Sequence, residues 1–444
     1  MRNGQVWSFP GCPSLTVCWF LLLAALAAGG PATGVADEPV AAWQITVAAG
    51  DVDRSNLPLR CPLPVPAKLA AAPVRILLAD GSQVDGQLAE PALGTEPRPD
   101  PPAGTVDRDV IFVLPSLPAG ESLEVTAQFT PAPADNAPPP RLVWTDEPTA
   151  ASLMLAGKPL VRYEKPAYDP ADEATREATY KPFHHVFDPV TGIRLTKGGG
   201  GLYTHHRGIF FGYNRIGHGD GRSRQSDCWH CRGQARQEHR ETILETAGPV
   251  AGVQRVAIDW IGSDGKPLMA EARELDVVPV AGGTVIDFSS RLSSAEPVRL
   301  DGDPQHAGVH FRASNEVAEA TKGDTYYLRP DGKGKPGEER NWPQDKTYVD
   351  AAWHAASFVV GGQRYTVVRA NRPANPGEAR MSERSYARFG SYFAHDLEPG
   401  SPLVVGYRFW VQPGEMAVAE AARIAADYAR PARLTVRPAA AVAE

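Results

Sequence analysis

The chain has little cysteine and no histidine before His184. Only Cys61, Cys228 and Cys231 lie beyond the N-terminal apolar region, which excludes a disulfide-stapled scaffold. Past that region no run is apolar enough to cross a bilayer. Basic tails are absent and the net charge is −7, which argues against nucleic acid as the main partner. There is no G-x-S-x-G elbow, phosphate loop, dinucleotide fingerprint or H-E-x-x-H. A serine nucleophile and an NAD site are therefore disfavoured. Strands do not alternate with crossover helices, so a parallel α/β sheet is excluded as well.

What is present begins with an export signal. Arg2 precedes the apolar run Leu15–Gly30, and small residues at Gly34 and Ala36 suit cleavage after Ala36. The expected location is periplasmic or extracellular. Residues 37–130 read as a small Ig-like antiparallel sandwich, from short alternating segments such as WQITVAA and ESLEVTAQFTP separated by turn residues. PAPADNAPPP, residues 131–140, reads as a stiff linker. Residues 141–432 read as a large antiparallel β-sandwich, and 433–444 as a tail. SLMLAGKPLVRYEK predicts a hairpin turning at Ala156-Gly157. Further strands are expected in RETILETA, GVQRVAIDWI, GTVIDFSSRLSS, SFVVGGQRYTVVRA and SPLVVGYRFWVQ, with one helix over GEMAVAEAARIAADYAR.

Histidine is concentrated. Seven of the eleven fall between His184 and His239, and Lys181–Arg240 carries ten Lys/Arg against four Asp/Glu. A cationic, imidazole-rich stretch in an acidic protein marks the expected site, because imidazole titrates near neutrality and binds metals. In LYTHHRGIFFGYN, alternation predicts His205 and Arg207 on one strand face and His206 on the other, so the two histidines diverge. The chemistry expected is acid–base work by His205, His206 and His306, with Arg207 as a clamp for hydroxyl or carboxylate groups. A His–Arg pair satisfying buried carbonyls is the alternative. In QHAGVHFRASNE, His306, His310 and Arg312 share a face opposite Ala307, Val309 and Phe311. That face lines a sugar cleft or a metal site, or else is a solvated strand face.

SDCWHCRG holds half a zinc site, with no second Cys pair to complete it. A short disulfide or free thiols are the main readings of Cys228 and Cys231. Asp227 and His230 flank them, and Trp229 is either a sugar-stacking platform or core. Thr321–Lys346 reads as a long charged loop bearing Tyr326, Tyr327 and Trp342. Asn371, Asn375, Arg384 and Tyr386 form an amide- and guanidinium-rich group suited to hydroxyls, or a capped turn.

YKPFHHVFDPVTGIRLT, HHRGIFFGYNRI, DCWH, QHAGVHFR, NRPANP and YRFWVQPGEM follow one another in order. On these motifs, from Ser152 to Arg430, the chain resembles an exported bacterial family labelled methane oxygenase PmoA. The resemblance implies a β-rich exported domain, common in bacteria that degrade complex glycans, with a supersandwich like that of galactose mutarotase. The membrane subunit invoked by the label spans the bilayer several times, so its site does not carry over to this chain.

The reading that results is an exported carbohydrate-active protein, a hydrolase, lyase or isomerase acting on a sugar or uronic-acid derivative. His205, His206 and His306 carry the acid–base role, and Arg207, His310, Arg312, Trp229, Asn375 and Arg384 bind substrate. The alternatives are a copper, zinc or iron oxidase or oxygenase with one divalent metal on His206, His230, His306 and His310, and a non-catalytic glycan-binding module. Convergence of these imidazoles in one hollow separates the first two from the third.

Overall fold

The computed structural model describes residues 41–95, 98–130 and 141–439. The expected signal segment and the Pro131–Pro140 linker lie outside the described residues. The protein is all-β, with a short C-terminal helix. Among the described residues no helix is long and apolar enough to cross a membrane.

The small domain is one seven-stranded antiparallel sheet closed over a single core. Ile45 and Val47 from one end of the sheet share that core with Leu59 and Leu63 from the other. Its edge strand, Arg54–Pro66, carries Pro62 and Pro64 on the exposed face. Proline lacks an N–H to donate, so an edge is where a sheet tolerates it. The expected tail is not free: Arg433–Pro438 returns to pair with Ala41–Ala48, Val436 opposite Ile45. The segment RLTVRP alternates as a strand should, but its partner lies at the far end of the chain.

The large domain packs an eight-stranded sheet on a nine-stranded one. The nine-stranded sheet contains the strands expected in RETILETA, GVQRVAIDWI, GTVIDFSSRLSS, SFVVGGQRYTVVRA and SPLVVGYRFWVQ. The hairpin at Ala156-Gly157 joins Ala150–Leu155 to Lys158–Glu164 with φ of 48° and 79°, the left-handed pair such a two-residue turn requires. Thr321–Lys346 is not one long loop. Tyr326–Arg329 is a strand of the nine-stranded sheet, and Tyr326 and Tyr327 are buried. The helix Val418–Ala429 lays Ala421, Ile424 and Ala425 on the outer face of that sheet.

The eight-stranded sheet positions the site. Its strand Ala307–Arg312 runs between Ile209–Tyr213 and Arg388–Tyr392. Val309 and Phe311 point inward, and the Phe311 ring meets Phe358, Phe389 and Phe409 at centroid distances of 6.0, 5.5 and 6.3 Å. The alternate residues His310 and Arg312 therefore stand on the outer face, as the sequence pattern predicts. They are buried there rather than solvated. Gly308, two residues before His310, has φ +88°, and a Cβ added there would meet the Ser391 carbonyl oxygen at 2.0 Å.

Gly308→Ala is expected to destabilise the protein by about 3 kcal/mol, from left-handed backbone and steric overlap together. Urea denaturation followed by tryptophan fluorescence measures this. An unchanged midpoint would refute the backbone conformation assigned to Gly308.

Candidate functional site

The strand following the HHRG motif starts only at Ile209. His205 and His206 precede it, in a turn closed by the His206 N–H donating to the Tyr203 carbonyl at 3.0 Å. Tyr203 itself has φ 57°. Period-2 alternation does not apply in a turn, so the expected divergence is corrected: the two rings lie on one side, with centroids 4.3 Å apart.

Two other loops bring an Asp-x-x-His unit each. The Asp227 carboxylate accepts the backbone N–H of Trp229 at 3.0 Å and of His230 at 2.8 Å, and the His230 Nδ1–H at 2.8 Å. Asp303 accepts the Gln305 N–H at 3.0 Å and the His306 Nδ1–H at 2.9 Å. Asn214 Nδ2 fixes its other oxygen at 2.8 Å. An Asp side chain bonding forward to its own turn is ordinary local chemistry. Here the same turn also sets the tautomer of the histidine, leaving Nε2 of each ring to face elsewhere.

The three loops converge. The His205 ring lies 4.5 Å from His230 and 5.3 Å from His306, and His230 lies 4.6 Å from His306. One ring nitrogen from each of the three falls within 4.8 Å of the others. His206 is 5.5 Å from His306. His205 Nε2, His206 Nδ1 and His310 Nε2 are buried without a hydrogen-bond partner among the described residues. Burial, followed by the neighbouring His230 and Lys181, pulls His205 down to about 2, and burial with the Arg388 guanidinium holds His206 well below the usual imidazole range. Asp303 resists the upward pull of burial, because the bond from His306 and its charge hold the carboxylate low. Imidazoles oriented by carboxylates are the donor set of a divalent transition-metal site. His205, His230 and His306 can hold one ion, with His206 beside them. The metal set expected from sequence omitted His205. His310 belongs to the layer beneath, separated from the trio by Trp229.

Trp229 is fully buried, with its ring 4.8 Å from His310 and 5.7 Å from His206. It is a wall under the imidazoles and not an exposed stacking platform. Tyr203, 45% exposed, lies 6.0 Å from His206 and 5.5 Å from Tyr386, so the aromatic surface of the site is tyrosine. A cavity of about 530 Å³ beside Gln87 and Leu244 lies elsewhere and holds none of the histidines.

The substrate-binding roles expected of Arg207, Asn375 and Arg384 are corrected, and of the two readings of Cys228 and Cys231 free thiols hold. Arg207 is buried and donates to the carbonyls of Ala178 at 3.1 Å, Thr204 at 3.3 Å and Glu177. It satisfies the C-terminal end of a short helix, Glu173–Thr179, which the sequence reading did not anticipate. Asn375 brackets Gly406, giving and taking hydrogen bonds of 2.8 Å. Arg384 is held by Glu339 at 3.2 Å. Cys228 and Cys231 are free, buried thiols, pushed up by burial and donating to the Ile261 and Tyr180 carbonyls. Neither forms a disulfide.

Sequence reasoning missed Asp303, Lys181 and Arg388. The first was readable, since Asp227-x-x-His230 and Asp303-x-x-His306 repeat one unit. Lys181 had no local mark. It is fully buried, has no carboxylate partner among the described residues, and donates from Nζ to the His205 carbonyl at 3.0 Å and to the Trp229 carbonyl. Its ammonium lies 4.2 Å from the centre of the Phe210 ring. One cation thus ties the loop of His205 to the loop of His230, and burial brings its pKa down to about 8.

Lys181→Met is expected to weaken cobalt(II) binding at the three imidazoles by at least about tenfold while the far-UV spectrum stays native. Unchanged affinity in a spectroscopic titration would mean that the loops hold their places without it.

No curated protein matches the chain. Among solved structures, a protein in glycosyl hydrolase family 38 from Enterococcus faecalis is similar at 9% identity with TM-score 0.39, over 90% of this chain and 47% of that one. An alpha-mannosidase from Enterococcus faecalis V583 is similar at 8% identity with TM-score 0.40, over 90% and 46%. The chain spans about half the length of either structure. A family described as a family of unknown function, DUF6807, matches residues 150–426, which hold all the imidazoles of the site. The match takes in more than half of the 444 residues, and the protein belongs to that family.

Proposed function

We propose that the protein is an exported, metal-dependent enzyme acting on a carbohydrate-class substrate, with one divalent transition-metal ion held by His205, His230 and His306. The observation that carries this reading is the convergence of three ring nitrogens within 4.8 Å, two of them on imidazoles aimed by Asp227 and Asp303. Zinc, copper and iron(II) all suit such a set. Three protein donors leave a coordination position open to substrate. Acid–base work by the imidazoles alone is the weaker reading, because it needs one aimed nitrogen and gives no reason for three to converge.

The metal would supply Lewis acidity toward a hydroxyl or carbonyl oxygen. The chain's own groups would do the rest. His206, with a free Nδ1, is the polar group beside the trio, and the exposed Tyr203 offers a face to the apolar side of a sugar ring. Export is supported by the N-terminal apolar run and its small-residue cleavage pattern.

Metal analysis of protein purified without a polyhistidine tag is expected to find one ion per chain. His230→Ala and His306→Ala should lose it, and Asp303→Asn should weaken it about 10–100-fold with the fold intact. Metal-free protein that turns over a glycan would overturn the reading. Activity restored by redox-inert zinc favours a hydrolase, lyase or isomerase. Activity confined to a redox metal with oxygen uptake favours the oxygenase alternative.

A further inference from the structure

Beside the imidazoles, on the same outer face, stand two arginines that the metal reading does not use. Arg312 and Arg388 are directly opposite each other on neighbouring strands. Both are buried, at 1% and 0% exposure. Arg312 Nη1 donates to the carbonyls of Ala313 at 2.7 Å, Tyr386 at 2.9 Å and Ser314 at 3.3 Å. Arg388 Nη1 donates to Ser382 Oγ at 3.0 Å and lies 3.3 Å from His310 Nδ1. Nε and Nη2 of both side chains have no partner among the described residues.

The fold treats most other buried arginines differently. Arg408 is doubly bonded to Asp287, Arg329 to Glu383 and Arg273 to Glu271, and Arg54 reaches Asp427. Arg207 lacks a carboxylate, but all three of its nitrogens donate to carbonyls. Arg369 lies between the sheets, with only Nε unpaired. A buried cation without an anion is costly, and two side by side repel as well. The surplus extends to Lys197, whose ammonium burial and then Arg312 bring down to about 7.

Arg312 is covered by an aromatic ring. The Tyr386 ring lies 4.5 Å from the Arg312 guanidinium carbon, and Tyr203 packs against Tyr386 while also reaching His205 and His206. The two tyrosines thus run from the arginines to the imidazoles. A guanidinium with adjacent free Nε–H and Nη2–H presents the fork that receives a carboxylate.

We propose that Arg312 and Arg388 form a carboxylate-binding subsite, entered when Tyr203 and Tyr386 swing aside, so that the protein takes an acidic sugar of the uronate class. This rests on the reading of the imidazole face as the substrate site. The carboxylate of the ligand supplies the missing anion, and its ring lies toward His205, His230 and His306.

The test compares D-glucuronate, D-galacturonate and D-mannuronate with their neutral parent sugars and with inorganic phosphate, by calorimetry and by melting temperature. At least one uronate is expected to bind at least tenfold tighter than its parent and tighter than phosphate. Arg388→Met should lose that preference yet melt no lower than wild type, because it removes an uncompensated buried charge. A merely structural arginine would lower the melting temperature. Arg388→Lys keeps the charge and loses the fork, and should fold and lose the preference too. The proposal is overturned if no uronate is preferred, if phosphate binds more tightly, or if both variants keep the preference. The metal content of untagged wild type, measured as purified and after reloading with zinc, separates the two readings. A uronate preference in protein that holds no metal leaves the subsite standing and removes the metal centre, and a metal-loaded protein indifferent to the carboxylate does the reverse.

Discussion

Two aspartates, each three residues before a histidine, decide what the imidazole cluster can do. A histidine left to itself presents either nitrogen and rotates about its side-chain bonds. Asp227 and Asp303 each take the Nδ1–H of the ring and the backbone N–H groups of the same turn. Ring and loop are therefore fixed by one carboxylate. Nε2 of both rings is left free, and one ring nitrogen of each lies within 4.8 Å of one on His205. His205 has no such carboxylate. Its loop is held through the main chain by Lys181, and the same ammonium grips the loop of His230. The geometry of three imidazoles thus reduces to two short turns and one buried cation.

The arrangement is expensive for the fold, and the expense is localised. The inner face of the eight-stranded sheet is filled by rings such as Phe211, Phe311 and Phe389. The neighbouring polar inclusion of Glu383, Arg329, Tyr348 and His354 is largely paired within itself. On the outer face, by contrast, His205, His206, His310, Arg312 and Arg388 all keep buried nitrogens without partners. Each such group costs about 1–3 kcal/mol relative to a satisfied one. Natural folds keep unsatisfied groups of this kind mainly where function needs them. Unpaired buried nitrogens occur elsewhere as well, at His184, Arg273 and Arg369 among others, but here five such side chains stand together, and that clustering marks the site.

Much of the fold was legible, and the reasons are local. QHAGVHFR has a clean two-residue period over a whole strand, so its inward and outward sets could be told apart. Ala156-Gly157 and Gly361-Gly362 both carry left-handed pairs that their hairpins need. The site was legible in composition and less so in geometry. HHRG was read as strand because it runs into one, and nothing in the letters marks the turn at Tyr203. Arg207 looked like a clamp because its real partner, the end of a seven-residue helix, is too short to announce itself. Lys181 acts through loops and Arg388 through a histidine on a neighbouring strand, all distant in sequence, which no window along the chain contains. The strand Arg433–Pro438 was lost for the same reason.

Side chains that are absent shape the face as much as those present. The loop carrying Trp229 and His230 must lie flat on the sheet for His230 to reach the other rings. It does so over Gly212, where an added Cβ would stand 3.1 Å from the Cys228 carbonyl oxygen and 3.4 Å from the indole. The His310 ring lies over Gly390, where a Cβ would meet it at 2.4 Å. Both positions sit on strands that flank Ala307–Arg312, and in the register of the sheet Gly390 is the direct partner of His310. A sheet with ordinary side chains at these points would lift the Trp229 wall and tilt the imidazole beneath it. The bare backbone lets the indole settle between His206 and His310, shielding the trio from the layer below. The imidazole geometry, the wall and the arginine pair are therefore consequences of one register, in which glycine falls where the incoming loop and rings must touch the sheet.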